Sequence, residues 1–251
     1  MVEATRGGTW AEYAVASVEE VCLKPRNLTW AEAAAVPLNG LTVYQALFER
    51  AGVPPPDFSD ANEARIRRTG AGAENRRLLV TGAVGGVGIY TMQLARLAGL
   101  YVVAATSSNS RNKEFLDRLG ADEVVKYADL AKDLSRYQVI IDTVGGGVLE
   151  ACWSLVSEDG ALISIDSASY NFVEKHRELG LSKGKDNVKA LFFIVHPSRG
   201  HLEQLTTALN ANLLEPFVAC SLPLAEARSA YDHGSKKFTE WGKIVLIPRR
   251  G

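Results

Sequence analysis

The sequence predicts an α/β protein built on a doubly wound parallel sheet, and three observations carry that reading. Apolar runs of strand length alternate with amphipathic helical stretches from Leu78 to about residue 196. The strand runs are apolar throughout instead of alternating, as strands buried on both faces must be. A glycine cluster, Gly82, Gly85, Gly86 and Gly88, joins the first of these strands to the first helix.

Taken in order, "LLVTG" is the first strand, and Val87, Tyr90, Thr91, Leu94, Ala95 and Ala98 mark the helix after it at three- and four-residue spacing. "YVVAAT" is a strand, "RNKEFLDRL" a helix stopped by Gly120, and "DEVVKY" a strand. "QVIIDTV" and "GALISID" are two more, separated by a helix around Val148, Cys152, Leu155 and Val156, and "VKALFFIV" is a further candidate. From about residue 197 the pattern gives two helices, "SRGHLEQLTTALNAN" and "PLAEARSAYDHG", and a last strand, "GKIVLIP". Before the series, residues 7–36 read as short strands followed by "LTWAEAAAVP", where Thr29 caps a helical turn and Glu32 completes a capping box. "LTVYQALFER" has helical spacing, with Leu41, Tyr44 and Phe48 on one face. Residues 53–77, rich in proline, glycine and charge, read as a long exposed loop inserted ahead of the first strand. The predicted division is a strand–helix domain over 41–196 and a second, smaller unit from 1–40 and 197–251.

Composition narrows the partners. The 251 residues are 47% hydrophobic and 23% charged with a formal net charge of −1, which gives nucleic acid or a charged membrane nothing to recognise. No apolar run reaches the roughly 18 residues of a spanning helix, and the first residues lack the apolar core of a secretory signal. Cys22, Cys152 and Cys220 are scattered, which fits a reducing compartment, and the cytoplasm is the predicted location. Neither C-x-x-C nor H-E-x-x-H occurs, so no metal site is predicted. The expected partner is a small-molecule substrate.

A strand that turns directly into a helix aims backbone N–H groups, and the positive end of the helix, at an anion. Glycines suit that turn because side chains would block both the approach of a pyrophosphate and tight helix–strand packing. The spacing here is G-x-x-G-G-x-G. Its place between a strand and a helix in a repeating β–α series makes it a dinucleotide site in this reading. The second strand identifies the dinucleotide. An NAD site ends that strand with a carboxylate for the ribose 2′-hydroxyl, but there is no acidic residue between Leu100 and Ser110. Thr106, Ser107, Ser108 and Asn109 stand there instead, followed by Arg111 and Lys113. Hydroxyls and cations suit a 2′-phosphate that a carboxylate would repel. The expected cofactor is therefore NADPH; the alternative is that Arg111 and Lys113 only decorate a helix start. A short-chain dehydrogenase would need Tyr and Lys one helical turn apart, whereas Tyr170 and Lys175 are separated by five positions.

With these residues in place, the chain resembles the medium-chain dehydrogenase/reductase superfamily, and within it the zinc-independent quinone oxidoreductase and enoyl reductase branch, in particular fungal-type stand-alone enoyl reductases. "GTWAEYAVASVEEVCLKPRNLTWAEAAAVPLNGLTVYQAL" looks like the branch's G-x-[FW]-A-E-Y to G-x-T-A-Y stretch, and "GAVGGVG", "LGADEVVKY", "IDTVGG", "GALISI" and "GKIVL" follow in family order. The resemblance implies a Rossmann domain with a remnant of a strand-rich GroES-like catalytic domain. It implies that Gly82, Gly85, Gly86, Val87 and Gly88 lie at the pyrophosphate, and that Ser107, Ser108, Arg111, Lys113 and Tyr127 surround the 2′-phosphate and adenosine ribose. Thr42 would stand near the nicotinamide, and Asp142, Val144, Gly145 and Ile165 along the ribose side. Phe192, Phe193 and Ile194 would offer backbone to the carboxamide; for the two phenylalanines core packing is the equal alternative. The implied activity is hydride delivery to a conjugated C=C or a quinone without zinc. No catalytic residue is identified; Thr42 and Tyr44 are nearest by family position.

Two departures from the family pattern are expected to matter. The strand-rich segment that precedes "GTWAEY" in the family is not in this sequence, so the chain is either a fragment or truncated gene model or works with a reduced pocket, and the 53–77 insertion replaces a short connection. A reduced catalytic unit with unpaired strand edges predicts a homo-oligomer or a partner chain. The competing function is that of an NADPH-binding chain without redox activity of its own, a partner-dependent subunit or one turned to a non-redox step.

Overall fold

The computed structural model of the protein describes residues 8–62, 76–234 and 241–248. In chain order it contains helices α1 (Trp30–Ala35) and α2 (Pro37–Tyr44), a π turn (Gln45–Arg50), β1 (Arg77–Thr81), α3 (Gly86–Leu97), β2 (Tyr101–Thr106), α4 (Asn109–Leu119) and β3 (Glu123–Lys126). There follow β4 (Tyr137–Asp142), α5 (Gly146–Leu155), β5 (Val156–Ser164), α6 (Phe172–Glu178), β6 (Lys189–Phe192), α7 (Arg199–Asn210), β7 (Val218–Pro223), α8 (Ala227–Gly234) and β8 (Lys243–Ile247). Contacts group the chain into two units, Met1–Thr42 with Val195–Gly251, and Val43–Ile194.

The larger unit is a six-stranded sheet in the order β3-β2-β1-β4-β5-β6, parallel at every pairing. This is the doubly wound order of a Rossmann domain, which reverses direction between β1 and β4. Register explains why its strands are apolar without alternation. Val103, Leu79, Ile140 and Leu162 are successive partners across four strands, and Val102, Leu78, Val139 and Ala161 form the adjacent row. Every residue of both rows is buried. The first row packs with Leu149, Cys152, Trp153 and Leu155 of α5 and Phe172 of α6. Along α3 every residue from Gly88 to Ala95 is buried, so this helix is enclosed around its whole circumference. At Gly88 it comes so close to the chain before it that an added Cβ would stand 2.4 Å from the Gly82 carbonyl oxygen and 2.6 Å from that of Ala83.

The strands expected from the Rossmann pattern are in place; β5 begins earlier than its apolar segment, and α6 precedes β6. The loop expected over 53–77 differs from the reading. Val53, Pro56 and Phe58 are buried, Phe58 to 1% exposure, because apolar side chains gain by leaving water even in a polar stretch. Residues 63–75 lie outside the described residues, and Arg77 already belongs to β1.

In the smaller unit β7 and β8 form a parallel two-stranded sheet, with α1 packed on both strands. The sequence reading places no strand at β7, "VACSLP", whose apolar run is interrupted by Ser221 and ended by Pro223. The Thr29 capping box is present: the Thr29 N–H donates to Glu32 Oε2 at 2.7 Å and the Glu32 N–H donates to Thr29 Oγ1 at 3.2 Å. These bonds to Thr29 hold the Glu32 carboxyl below the usual carboxylate range. The short strands expected in residues 7–36 do not form. The described part holds a 3₁₀ turn at Val18–Glu20 and α1, and no strand. A strand exists only by hydrogen bonding to another, and Tyr13, Val15 and Leu23, each at least 87% exposed, meet none.

Two outcomes follow from this division of burial. Hydrogen exchange should be slow at Leu78–Thr81 and Val139–Asp142, which are paired and at most 3% exposed, and fast over residues 8–25, which carry no strand; slow exchange throughout 8–25 would contradict the assignment. Gly88→Ala should force α3 away from β1 and lower stability by about 1–3 kcal/mol, the usual cost of overpacking; an unchanged urea midpoint would show that the approach is not tight.

Candidate dinucleotide site

The site lies at the carboxyl ends of β1, β2 and β4, where open α/β sheets bind ligands. β1 ends at Thr81, and Gly82 turns the chain with φ at +67°, a conformation that L side chains avoid. The Gly85 N–H donates to the Gly82 carbonyl at 2.8 Å, closing the turn. Gly85 is then the N-cap of α3, and no side chain caps the helix there. Its first-turn N–H groups, at Gly86, Val87 and Gly88, have no intrahelical acceptor. Gly85 is exposed and Gly86 and Val87 half-buried, so the turn reaches solvent there, while Gly88 is buried behind them. A Cβ on Gly85 would stand 3.1 Å from the Gly82 carbonyl oxygen. The arrangement fits a dinucleotide pyrophosphate: a positive helix end, uncapped donors and no Cβ in the way.

Beside it, β2 runs into the loop at Ser107. Thr106, 1% exposed, accepts at Oγ1 a 2.7 Å bond from Nδ2 of Asn112, itself 4% exposed. That buried pair pins the loop to α4. Asn112 was missed in the sequence because it is one polar residue among many in "SSNSRN", and nothing in the run marks which one turns inward. Ser107 is exposed and Ser108 half-buried, with Ser108 Oγ at 3.3 Å from Ser110 Oγ. Arg111 and Lys113 are exposed on the first turns of α4. The Lys113 ammonium donates to both carboxylate oxygens of Asp117 at 2.7 and 2.9 Å, an exposed i,i+4 pair of the kind that contributes little and yields readily to a stronger anion.

Tyr127 follows β3 and reaches back to the glycine turn, where its hydroxyl oxygen accepts from the Gly82 N–H at 3.0 Å. Burial first, and the carboxylate of Asp142 as a lesser cause, push its pKa up against the opposing bond from Gly82, so it remains a phenol. With one lone pair engaged by Gly82, its proton is available to an acceptor on the open side.

Asp142 departs from its expected role. The sequence reading put it along the ribose, but its side chain is fully buried. It accepts from Thr81 Oγ1 at 2.6 Å, from Ser164 Oγ at 2.9 Å and from the Gly145 N–H at 3.0 Å, with the Val144 N–H at 3.3 Å. Its carboxylate faces the fold, so the loop after β4 must serve any ligand through its backbone and through Val144, 39% exposed. Gly145, with φ at +71°, could carry no side chain, since a Cβ would meet Asp166 Oδ2 at 2.2 Å. Ile165 is half-buried, and its N–H donates to the Asp142 carbonyl at 3.0 Å.

The remaining expected residues divide. Phe192 packs against the core cluster and Phe193 is buried beneath the Arg50 guanidinium, 5.7 Å from the ring centroid, so their side chains are core; Ile194 is 76% exposed. Tyr44, a weak catalytic candidate, is 8% exposed and meets Phe48 edge-on with centroids 4.8 Å apart. Burial, and then Glu49, raise its pKa, which makes it a poorer acid than a free phenol. Thr42 is buried, and its hydroxyl donates at 2.7 Å to the Leu38 carbonyl one turn earlier in α2. Among the described residues no three His, Cys, Asp or Glu side chains converge as a metal would need, so they offer no ligand set for zinc. Nor, among those residues, is any helix long and apolar enough to cross a membrane.

Comparison with known proteins agrees with this architecture. The model of a zinc-binding dehydrogenase family matches residues 119–246. The chain is 31% identical over 249 residues to a probable zinc-binding oxidoreductase, mitochondrial, from Arthroderma benhamiae, covering 96% of this chain and 70% of the relative. It is 30% identical over 251 residues to a chloroplast envelope quinone oxidoreductase homolog from Arabidopsis thaliana, covering 96% and 69%. The solved CurK enoyl reductase superposes with a TM-score of 0.72 at 22% identity, over 93% of this chain and 67% of that one, a likeness of fold. The chain thus spans about two thirds of the length of these proteins. A glycine turn feeding an uncapped helix, the 3-2-1-4-5-6 sheet and relatives at this identity lead to one conclusion: the chain belongs to the medium-chain dehydrogenase/reductase superfamily, in its quinone oxidoreductase and enoyl reductase branch.

Proposed function

We propose that the chain binds NADPH and acts as a reductase of conjugated C=C bonds or quinones, without zinc. The observation that carries the cofactor choice is the end of β2. There Ser107, Ser108, Arg111 and Lys113 stand where an NAD site has a carboxylate, and no acidic residue lies between Leu100 and Ser110. The quinone oxidoreductase homolog among the relatives, and the fold shared with an enoyl reductase, support the substrate class.

In this reading the N–H groups at the start of α3 hold the pyrophosphate, and the Ser107–Lys113 segment with the Tyr127 hydroxyl holds the 2′-phosphate. The bound cofactor supplies a hydride, which reduces the β-carbon of a polarised alkene or a quinone carbonyl, and a proton completes the product. Neither Tyr44, a weakened acid in the core, nor Thr42, whose hydroxyl donates within its own helix, is assigned that proton. The free cysteines Cys22, Cys152 and Cys220 suit a reducing compartment, and we place the chain in the cytoplasm. Imaging of a tagged chain would separate this from the mitochondrial and chloroplast locations in its relatives' names.

Fluorescence titration should show NADPH binding more tightly than NADH, and Arg111→Ala with Lys113→Ala should remove most of that preference. Each charge-assisted contact to a phosphate is typically worth about 1.5–3 kcal/mol. Equal affinity for the two dinucleotides would sink the assignment. Incubation with conjugated enones and quinones should give steady NADPH oxidation that a chelator leaves unchanged. Tight binding without turnover would instead favour a cofactor-binding subunit lacking redox activity, and loss of turnover on chelation would restore a metal to the reaction.

A further inference from the structure

Asp142 sits at the carboxyl end of β4, and Thr81 at the carboxyl end of β1, on the two sides of the point where the sheet order reverses. Its carboxylate has no exposed surface. The contacts assign each proton. Thr81 Oγ1 accepts from the Thr143 N–H at 3.1 Å, so its own hydrogen goes to Asp142 Oδ1 at 2.6 Å. Ser164 Oγ accepts from the Asp166 N–H at 3.3 Å, so its hydrogen goes to Asp142 Oδ2 at 2.9 Å. With the Gly145 and Val144 N–H groups added, every partner is a donor and both carboxyl oxygens act as acceptors. No cation is among these partners.

The same network fixes the loops that flank the switch point. Thr143 Oγ1 donates to the Thr81 carbonyl at 2.9 Å, and its oxygen lies where a Cβ on Gly82 would come within 2.1 Å. The glycine turn after β1 is therefore seated against the loop after β4. The bonds to Gly145 and Val144 hold that second loop, and the one to Ser164 ties in the end of β5. Three strand ends meet on one carboxylate.

We propose that Asp142 is a positioning residue for the dinucleotide: without touching it, its carboxylate sets the gap between the glycine turn and the 143–146 loop in which the cofactor's central and nicotinamide portions lie. This rests on the NADPH reading above. The adenosine end depends instead on the loop after β2, which the Thr106–Asn112 pair anchors independently.

The test compares Asp142→Asn and Thr81→Val, which break the network, with Thr81→Ser, which keeps the hydroxyl, and with Leu149→Ala, a core variant whose loss of melting temperature serves as a stability control. All are measured where each is fully folded. NADPH affinity should fall roughly tenfold or more in the first two, the effect of one lost charge-assisted bond, and should hold in Thr81→Ser and Leu149→Ala. Affinity for adenosine 2′-phosphate, which carries no part of the pyrophosphate, should hold in all four. In the cofactor-free protein, amide exchange at Gly82 and Gly145 should quicken in Asp142→Asn and Thr81→Val alone. Unchanged NADPH affinity in both network variants, or an equal loss in Leu149→Ala, would overturn the inference. If Asp142→Asn does not fold, the Thr81→Val and Thr81→Ser pair decides it. A wild-type chain that binds neither NADPH nor adenosine 2′-phosphate would overturn the cofactor reading, while the exchange rates would still report on the network.

Discussion

A parallel sheet buried on both faces has only its strand ends at which to be polar, and the rest of the larger unit follows from that constraint. The central strands β1, β2, β4 and β5 contribute rows of apolar side chains to both faces, and a polar group in the middle of any of them would lose water with nothing in return. The polar residues therefore gather where the strands run out: Thr81, Thr106, Asp142 and Ser164 each occupy the final position of a strand. All four are buried, and each is bonded to a neighbour instead of to water. The carboxyl end of the sheet is thus both its polar edge and its ligand edge.

Within that edge two kinds of polar residue perform different tasks. Asp142 and Asn112 point inward and order the loops; Ser107, Arg111 and Lys113 are exposed, and the half-buried Tyr127 is bonded through its hydroxyl to the glycine turn. A buried carboxylate without a cation is costly unless its oxygens are bonded. Asp142 offsets this with two hydroxyls and two backbone N–H groups, each supplied by a segment whose position matters to the site. Glycine serves the same end from the opposite side. At Gly82, Gly88 and Gly145 the space a Cβ would need is already taken by the neighbouring loop or backbone.

The smaller unit obeys a weaker constraint. Its helix start at Thr29 is decided locally by a reciprocal pair of hydrogen bonds within one turn. Its β7–β8 pair is decided by register between distant segments, Val218 with Lys243 through Pro223 with Ile247. Residues 8–25 have neither a local cap of that strength nor a partner strand, and their apolar side chains remain exposed. Strand propensity without a partner is not a strand.

What depends on near neighbours along the chain is legible in the sequence. The strand–helix alternation, the capping box, the glycine turn and the lack of a carboxylate after β2 are all written within a few residues of where they act. Periodicity and turn chemistry carry that information because their causes are local. Only the tertiary structure decided which way the polar residues of each segment face. Asp142 reads as a ligand-facing residue in "IDTVGG" until β1 and β5 bring Thr81 and Ser164 against it from 61 and 22 positions away. Phe193 turns into the core and Asn112 beneath Thr106, outcomes that no local pattern distinguishes from exposure. The physical reason is the same in each case. A polar or aromatic side chain settles where its hydrogen bonds and contacts can be met, and in a parallel sheet those partners come from strands remote in sequence.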